Sequence, residues 1–167
     1  MADIVEILML EHLAIRNISR CRKPEEATFY EFNAYLKNCH IEIEEKIVFP
    51  LILSYARDNA QASFPRIEQI RADHRLIETL ADNLAKWKES GNMQLYEERL
   101  PLYFRLLVEH NRSEDEIVFP LWSSADHRDA KIGASEALDI IETFGNDRYL
   151  SITGLSGKAM DYLFGRG

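Results

Sequence analysis

The sequence has 167 residues, which is enough for one domain with a sizeable core and too few for two domains joined by a linker. Hydrophobic residues make up 46% of the chain and there are only 7 glycines and 5 prolines, which excludes a disordered chain, a collagen-like repeat and a small disulfide scaffold. The formal net charge is -8, with no cluster of Lys and Arg. We therefore expect neither nucleic acid nor an anionic membrane as a partner.

The amino-terminal residues and the cysteines indicate the cell compartment. The first ten residues contain no cationic leader, so we expect no signal peptide. The longest apolar runs, such as 47–53, are too short to span a bilayer. Cys21 and Cys39 are too few to form a disulfide framework. These features predict a cytoplasmic protein.

Apolar residues recur at helical spacing along most of the chain, which predicts an all-α fold. Four long helices are expected before Trp122. They are separated by breaks at 23–25, 57–65 and 91–92, where Pro, Gly, Asp and Asn are concentrated.

Further helices are expected after the fourth. An amphipathic stretch over 130–144 and a short segment over 158–164 predict a C-terminal helical extension. We therefore divide the chain into a four-helix domain over 1–125 and an extension over 126–167. The extension is expected to pack on the bundle or to form a homodimer contact.

The chain contains an internal repeat. Residues 40–51 (HIEIEEKIVFPL) align without gaps on residues 110–121 (HNRSEDEIVFPL), with 7 of 12 positions identical. A single histidine on the preceding helix comes before each copy, His12 before the first and His74 before the second. The repeated unit is therefore a helix with one His, a turn, and a helix with His-x-x-x-Glu.

The spacing of four histidines predicts that they meet. Two residues of an antiparallel helical hairpin lie at the same height when they are equally far from the turn. The midpoints between His12, His40, His74 and His110 fall at 26, 57 and 92, on or within about two residues of the three breaks. We therefore expect the four histidines in one layer of an up-down-up-down four-helix bundle.

Each repeat also places a carboxylate beside its histidine. His40 and Glu44, like His110 and Glu114, are separated by four residues and therefore lie on one face of their helix. A buried carboxylate without a partner is costly. Two carboxylates that face each other among four imidazoles therefore predict bound cations.

A third carboxylate, Glu78, follows His74 at the same spacing, whereas the equivalent position in the first unit is Arg16. We therefore expect one metal ion to have more ligands than the other. Four nitrogens and three carboxylates favour two ions of octahedral habit, iron first and manganese second, because zinc usually takes four ligands.

This pattern resembles the hemerythrin family of His-His-Glu (HHE) cation-binding domains over about residues 3–122, including the Phe-Pro that follows each Glu. The resemblance implies two iron ions bridged by an oxo or hydroxo group and by Glu44 and Glu114. It implies His12 and His40 on one iron, and His74, His110 and residue 78 on the other. A small ligand such as O2, peroxide or NO would add at the iron with fewer protein ligands.

The sequence departs from the oxygen-carrying members of that family, which resemble His-x-x-x-His where this chain has His74-x-x-x-Glu78. An additional anionic ligand favours the ferric state, so we expect easier oxidation and less reversible oxygen binding. Sensing or reduction of O2, peroxide or NO is therefore favoured over storage. The alternatives are an iron-handling or iron–sulfur repair protein, and an interaction module that the metals only stabilise.

Some residues leave alternatives open. Asp115 lies at the spacing at which oxygen carriers place a carboxylate, so it competes with Glu114, which the internal repeat favours. Tyr103 either fills the core, which we favour, or lines a small-molecule pocket. Pro120 and its repeat counterpart Pro50 are expected to kink or end their helices just past the site. His127 is expected in an exposed loop.

Overall fold

The computed structural model describes residues 3–20, 26–122, 124–125 and 127–163, and their regular structure is entirely helical. This confirms the all-α fold class. None of the described helices is long and apolar enough to cross a membrane. The helices in chain order are α1 (Ile4–Ser19), α2 (26–58), α3 (Phe64–Glu89), α4 (93–122), α5 (His127–Phe144), α6 (Asn146–Thr153) and α7 (Gly157–Leu163).

Helices α1 to α4 form the predicted bundle. α3 packs along α4, α1 packs along α4, and the C-terminal part of α2 packs against α3. α1 begins at a capping box, in which the Asp3 side chain accepts a hydrogen bond from the Val5 amide and Glu6 accepts one from the Asp3 amide. Its apolar stripe, which includes Ile7 and Ile15, is fully buried and faces the bundle centre.

Helices α2 and α4 contain π-helical turns that the sequence did not predict. They span Leu36–His40 and Glu44–Val48 in α2, and Glu114–Val118 in α4. The last two occupy equivalent positions in the internal repeat, directly before Phe-Pro. Each begins at the glutamate of His-x-x-x-Glu, so the helix widens at the site.

The prolines explain where two of these wider turns occur. A proline in a helix has no N–H and clashes with the carbonyl four residues before it. The amides of Phe49 and Phe119, directly before the prolines, each donate to the carbonyl five residues back, that of Glu44 or Glu114. Pro50 does not end its helix, which continues to Asp58, so that alternative was wrong for the first repeat. The last described helical residue after Pro120 is Trp122.

The C-terminal helices pack on the bundle. α5 contacts α1 and the π-helical turns of α2, and α6 contacts α1 and the first part of α2. Leu138, Ile141 and Tyr149 are buried in the same core as these helices. The homodimer contact stays a prediction. His127 is the first residue of α5 rather than part of a loop, so that expectation was wrong, and its side chain lies outside the described ones.

Helix α5 approaches α2 closely at Gly133. A Cβ atom added there would lie 2.8 Å from Ile47 Cγ2 and 3.6 Å from the Trp122 ring. Ile47 is β-branched, so this methyl group cannot move aside by rotating a long flexible chain. The contact therefore requires glycine.

We expect Gly133→Ala to lower the free energy of unfolding by about 1 kcal/mol. Overpacking costs about 1–3 kcal/mol, and this outweighs the roughly 1 kcal/mol by which alanine exceeds glycine in helix propensity. Urea denaturation measures the difference. Gly157→Ala is the control, because an added Cβ there meets nothing within 4 Å. Equal stability of the two variants would contradict the close approach.

Candidate metal centre

Four histidines, one from each helix of the bundle, meet at its centre. His12, His40, His74 and His110 are at most 4% exposed. With Glu44 and Glu114, which are fully buried, they form two groups whose ligand atoms lie within 4.8 Å of one another. One group contains His12 and His40, the other contains His74 and His110, and both glutamates belong to both groups.

The two glutamates lie between the histidine pairs. Glu44 Oε1 is 3.5 Å from His40 Nε2 and 3.7 Å from His12 Nε2, whereas its Oε2 is 3.2 Å from His74 Nε2. Glu114 has the complementary arrangement, with Oε2 3.3 Å from His12 Nε2 and Oε1 3.1 Å from His110 Nε2. Each carboxylate therefore directs one oxygen toward each pair, as a ligand that bridges two ions does.

The nitrogen and oxygen atoms of this cluster that could bind metal are suited to two cations. The Nε2 atoms of all four histidines and both oxygens of both glutamates are buried and make no hydrogen bond. Eight buried polar atoms without partners would be very costly in a protein core unless something else paired with them. Two nitrogens and two shared carboxylates for each ion suit iron, manganese or zinc.

The opposite charges within the cluster shift the pKa values of its histidines and glutamates. Burial by itself would lower the pKa of His74, but the carboxylates of Glu114, Glu44 and Glu45 outweigh burial and raise it. Burial by itself would raise the pKa of Glu114, but His110, His12 and His74 lower it. Glu114 therefore stays ionised in the core, where a cation would stabilise it.

A second layer of carboxylates holds three of the four imidazoles from the outside. The Nδ1 atom of His40 donates to Glu11 Oε2 at 2.7 Å, that of His12 donates to Asp115 Oδ1 at 2.8 Å, and that of His74 donates to Glu45 Oε1 at 2.8 Å. Such a partner fixes the ring orientation and makes the inward nitrogen a better ligand. The inward Nε2 lone pairs are thereby directed at the cluster.

Two of these carboxylates are equivalent in the internal repeat. Glu45 and Asp115 each directly follow a central glutamate, and each also accepts a hydrogen bond from an arginine. Arg71 Nε donates to Glu45 at 2.8 Å, and Arg16 Nη1 donates to Asp115 at 2.9 Å. The structure therefore places Glu114, not Asp115, in the centre and gives Asp115 the supporting position.

Six of the seven predicted ligands come together, and Glu78 does not join either group among the described residues. Glu78 is half-buried and lines a cavity of about 200 Å³ between α2, α3 and α4. The two histidine pairs share the same two glutamates, so the expected inequality between the ions depends on Glu78 alone. Glu78 as a metal ligand stays a prediction.

The cavity beside Glu78 is mostly apolar. Ile41 and Ile77, which lie within three residues of His40 and His74 in the sequence, form part of its wall. Tyr103 lines it as well, is fully buried, and donates its hydroxyl to Asn33 Oδ1 at 2.8 Å. Tyr103 is therefore both a core residue and a cavity residue.

Sequence reasoning missed the orienting carboxylates. Glu45 and Asp115 carried a visible signal, because an acidic residue follows the central glutamate in both copies of the repeat. Glu11 carried none, since its partner His40 lies 29 residues away and their contact depends on how α1 is rotated against α2.

The chain was compared with models of known protein families. The hemerythrin HHE cation binding domain matches residues 3–122. The chain belongs to this family. The buried cluster of histidines and glutamates lies within the matched residues and could hold the cation that the family's description names. Helices α5 to α7 lie beyond the matched residues. Neither the search of curated proteins nor that of solved structures finds a match.

We expect Asp115→Asn to weaken metal binding about tenfold, because His12 would lose a charged partner that fixes its ring. Titration with ferrous iron against a competing chelator under anaerobic conditions measures the affinity. Glu116→Gln is the control, since Glu116 neighbours Asp115 but is 66% exposed and pairs only weakly with Arg112 at 4.0 Å. Unchanged affinity in Asp115→Asn would contradict the supporting role of this carboxylate.

Proposed function

We propose that this protein binds two metal ions and uses them to bind, sense or reduce a small oxidant such as O2, peroxide or NO. Iron is our first choice for both ions and manganese is our second. The observation that supports this most strongly is a set of eight buried nitrogen and oxygen atoms that could bind metal and that have no hydrogen-bond partner. They belong to two histidine pairs that share two carboxylates. Bound iron supplies the electron transfer to a small ligand that amino-acid side chains cannot provide.

The chain's own residues would hold the ions in this proposal. Glu44 and Glu114 would bind both ions and balance part of their charge. Glu11, Glu45 and Asp115 keep the imidazole rings in place from behind. The low polarity of the surrounding core strengthens these electrostatic interactions, because little water screens them.

The cavity supports a small ligand. Its volume of about 200 Å³ is below the range of roughly 300–1,000 Å³ that is typical of sites for organic ligands. Apolar side chains, including Ile41, Ile77 and Ala81, would admit a neutral diatomic molecule or peroxide without a strong competing interaction. We propose that this cavity admits the small ligand toward the two ions.

Glu78 bears on whether oxygen is stored or consumed. Two ferrous ions carry four positive charges, and the two central glutamates offset half of them. A third carboxylate at the cavity wall stabilises the more positively charged ferric state by its field, whether or not it binds the metal directly. We therefore propose that oxidation by O2 is not readily reversed.

The central experiment loads the protein anaerobically with ferrous iron, measures the metal content and then adds O2, peroxide or NO while visible spectra are recorded. We expect two iron ions per chain and a spectral change with at least one oxidant. Catalytic consumption of peroxide would identify an enzyme. Fewer than two ions per chain would contradict the two-metal centre, and no response to any of the three oxidants would contradict the proposed reactivity.

We expect Glu78→His to slow oxidation of the ferrous protein by O2 several-fold and to increase the fraction recovered on deoxygenation, because the variant removes a negative charge near the metals. Stopped-flow absorbance measures the rate. Asp82→His is the control, since Asp82 lines the same cavity one turn further along α3 and is exposed. If the two variants oxidise at the same rate, position 78 does not influence the centre.

A further inference from the structure

A hydrogen-bonded chain connects the C-terminal helices to the metal centre. Tyr149 of α6 donates its hydroxyl to Glu11 Oε1 at 2.8 Å, and the other oxygen of Glu11 accepts from His40 Nδ1 at 2.7 Å. Tyr149 and Glu11 are fully buried and His40 is nearly so. Tyr149 lies outside residues 3–122, which the family match covers. A residue beyond the HHE domain therefore contacts its second layer.

Glu11 differs from the other orienting carboxylates in what supports it. Glu45 and Asp115 are partly exposed, and each pairs with an arginine. Glu11 is completely buried, and a phenol donates to its outer oxygen. A buried carboxylate depends on such hydrogen bonds far more than an exposed one, since water cannot replace a lost donor. The position of Glu11 is therefore sensitive to Tyr149.

The surroundings of Tyr149 hold its hydroxyl in place. Its ring packs edge-on against the ring of Tyr35 at 6.0 Å, and Tyr35 stacks against the imidazole of His40 at 6.2 Å. The neighbouring Arg148 forms an ion pair with Glu31 of α2 at 3.0 Å. The ring contacts and this ion pair place α6 against α2 beside Glu11.

The two histidine pairs are not equally supported. His12 and His40 both have an orienting carboxylate, whereas in the other pair His74 has one and His110 Nδ1 makes no hydrogen bond. In the internal repeat the counterpart of Glu11 is Asp73, which precedes His74 as Glu11 precedes His12. Asp73 instead accepts a hydrogen bond from Gln69 of its own helix. The second layer is thus asymmetric between the two pairs.

We propose that Tyr149 is a positioning residue of the metal centre, which acts through Glu11 on His40 and makes the pair formed by His12 and His40 the tighter of the two metal sites. The C-terminal extension then contributes to metal affinity in addition to packing on the bundle. This inference rests on the proposed function, because it requires that two ions bind.

The test is Tyr149→Phe, which removes one hydroxyl and keeps the ring packing. Anaerobic titration with Co²⁺, followed by its visible absorption and by chelator competition, resolves the two binding steps. We expect the first step to weaken about tenfold and the second to change less than twofold. Thr153→Val is the matched control, because it removes another buried hydroxyl from α6 whose hydrogen bond goes to the Tyr149 carbonyl and not to Glu11.

A double-mutant cycle separates positioning from general loss of stability. In a His40→Ala background, Tyr149→Phe should change Co²⁺ affinity no further, since its effect passes through His40. Urea denaturation of the metal-free proteins records any shared loss of stability. Equal affinities in Tyr149→Phe and the parent protein, equal losses in Tyr149→Phe and Thr153→Val, or additive effects with His40→Ala would each overturn the inference. Failure of the parent protein to bind two ions would instead overturn the proposed function.

Discussion

The structure depends on the burial of two carboxylates among four imidazoles in the middle of a helical bundle. Glu44 and Glu114 are fully buried, and their oxygens lie 3.1–3.7 Å from imidazole nitrogens without forming hydrogen bonds. A core of this kind is costly unless positive charge is present. Bound cations meet that requirement, so metal binding and the stability of the bundle are expected to be closely linked.

The backbone is adapted to this cluster where the internal repeat is strongest. Both central glutamates begin a π-helical turn that ends just before Phe-Pro. In these wider turns, adjacent residues serve two layers of the site, because Glu44 and Glu114 are directed inward while Glu45 and Asp115 hold imidazoles from outside. The Phe-Pro dipeptide is therefore part of the site's architecture, although neither residue provides a ligand atom.

The sequence predicted the fold and most of the site because both depend on spacing. The breaks between helices determine which residues lie at the same level of the bundle. Helical periodicity and the repeated His-x-x-x-Glu determine which residues lie on the same face of a helix. Two of the π-helical turns arise from the geometry around Pro50 and Pro120 and not from periodicity, so periodicity could not predict them. Contacts such as that between Glu11 and Tyr149, which are 138 residues apart, depend on helix rotation and on where the C-terminal helices pack. Glu78 was expected in the cluster from its spacing and from the family resemblance, and it lines the wall of a cavity in the structure, so its role as a ligand stays a prediction.

Two of the three orienting carboxylates contact a histidine in the other half of the internal repeat. Asp115 of the second half holds His12 of the first, 103 residues away, and Glu45 of the first half holds His74 of the second. Neither helical hairpin alone therefore contains a supported set of ligands. Ions bound at the centre would join distant parts of the chain much as a cross-link does, by restricting the unfolded ensemble most where the closed loop is longest. The duplicated arrangement thus makes each half of the domain the scaffold for the other.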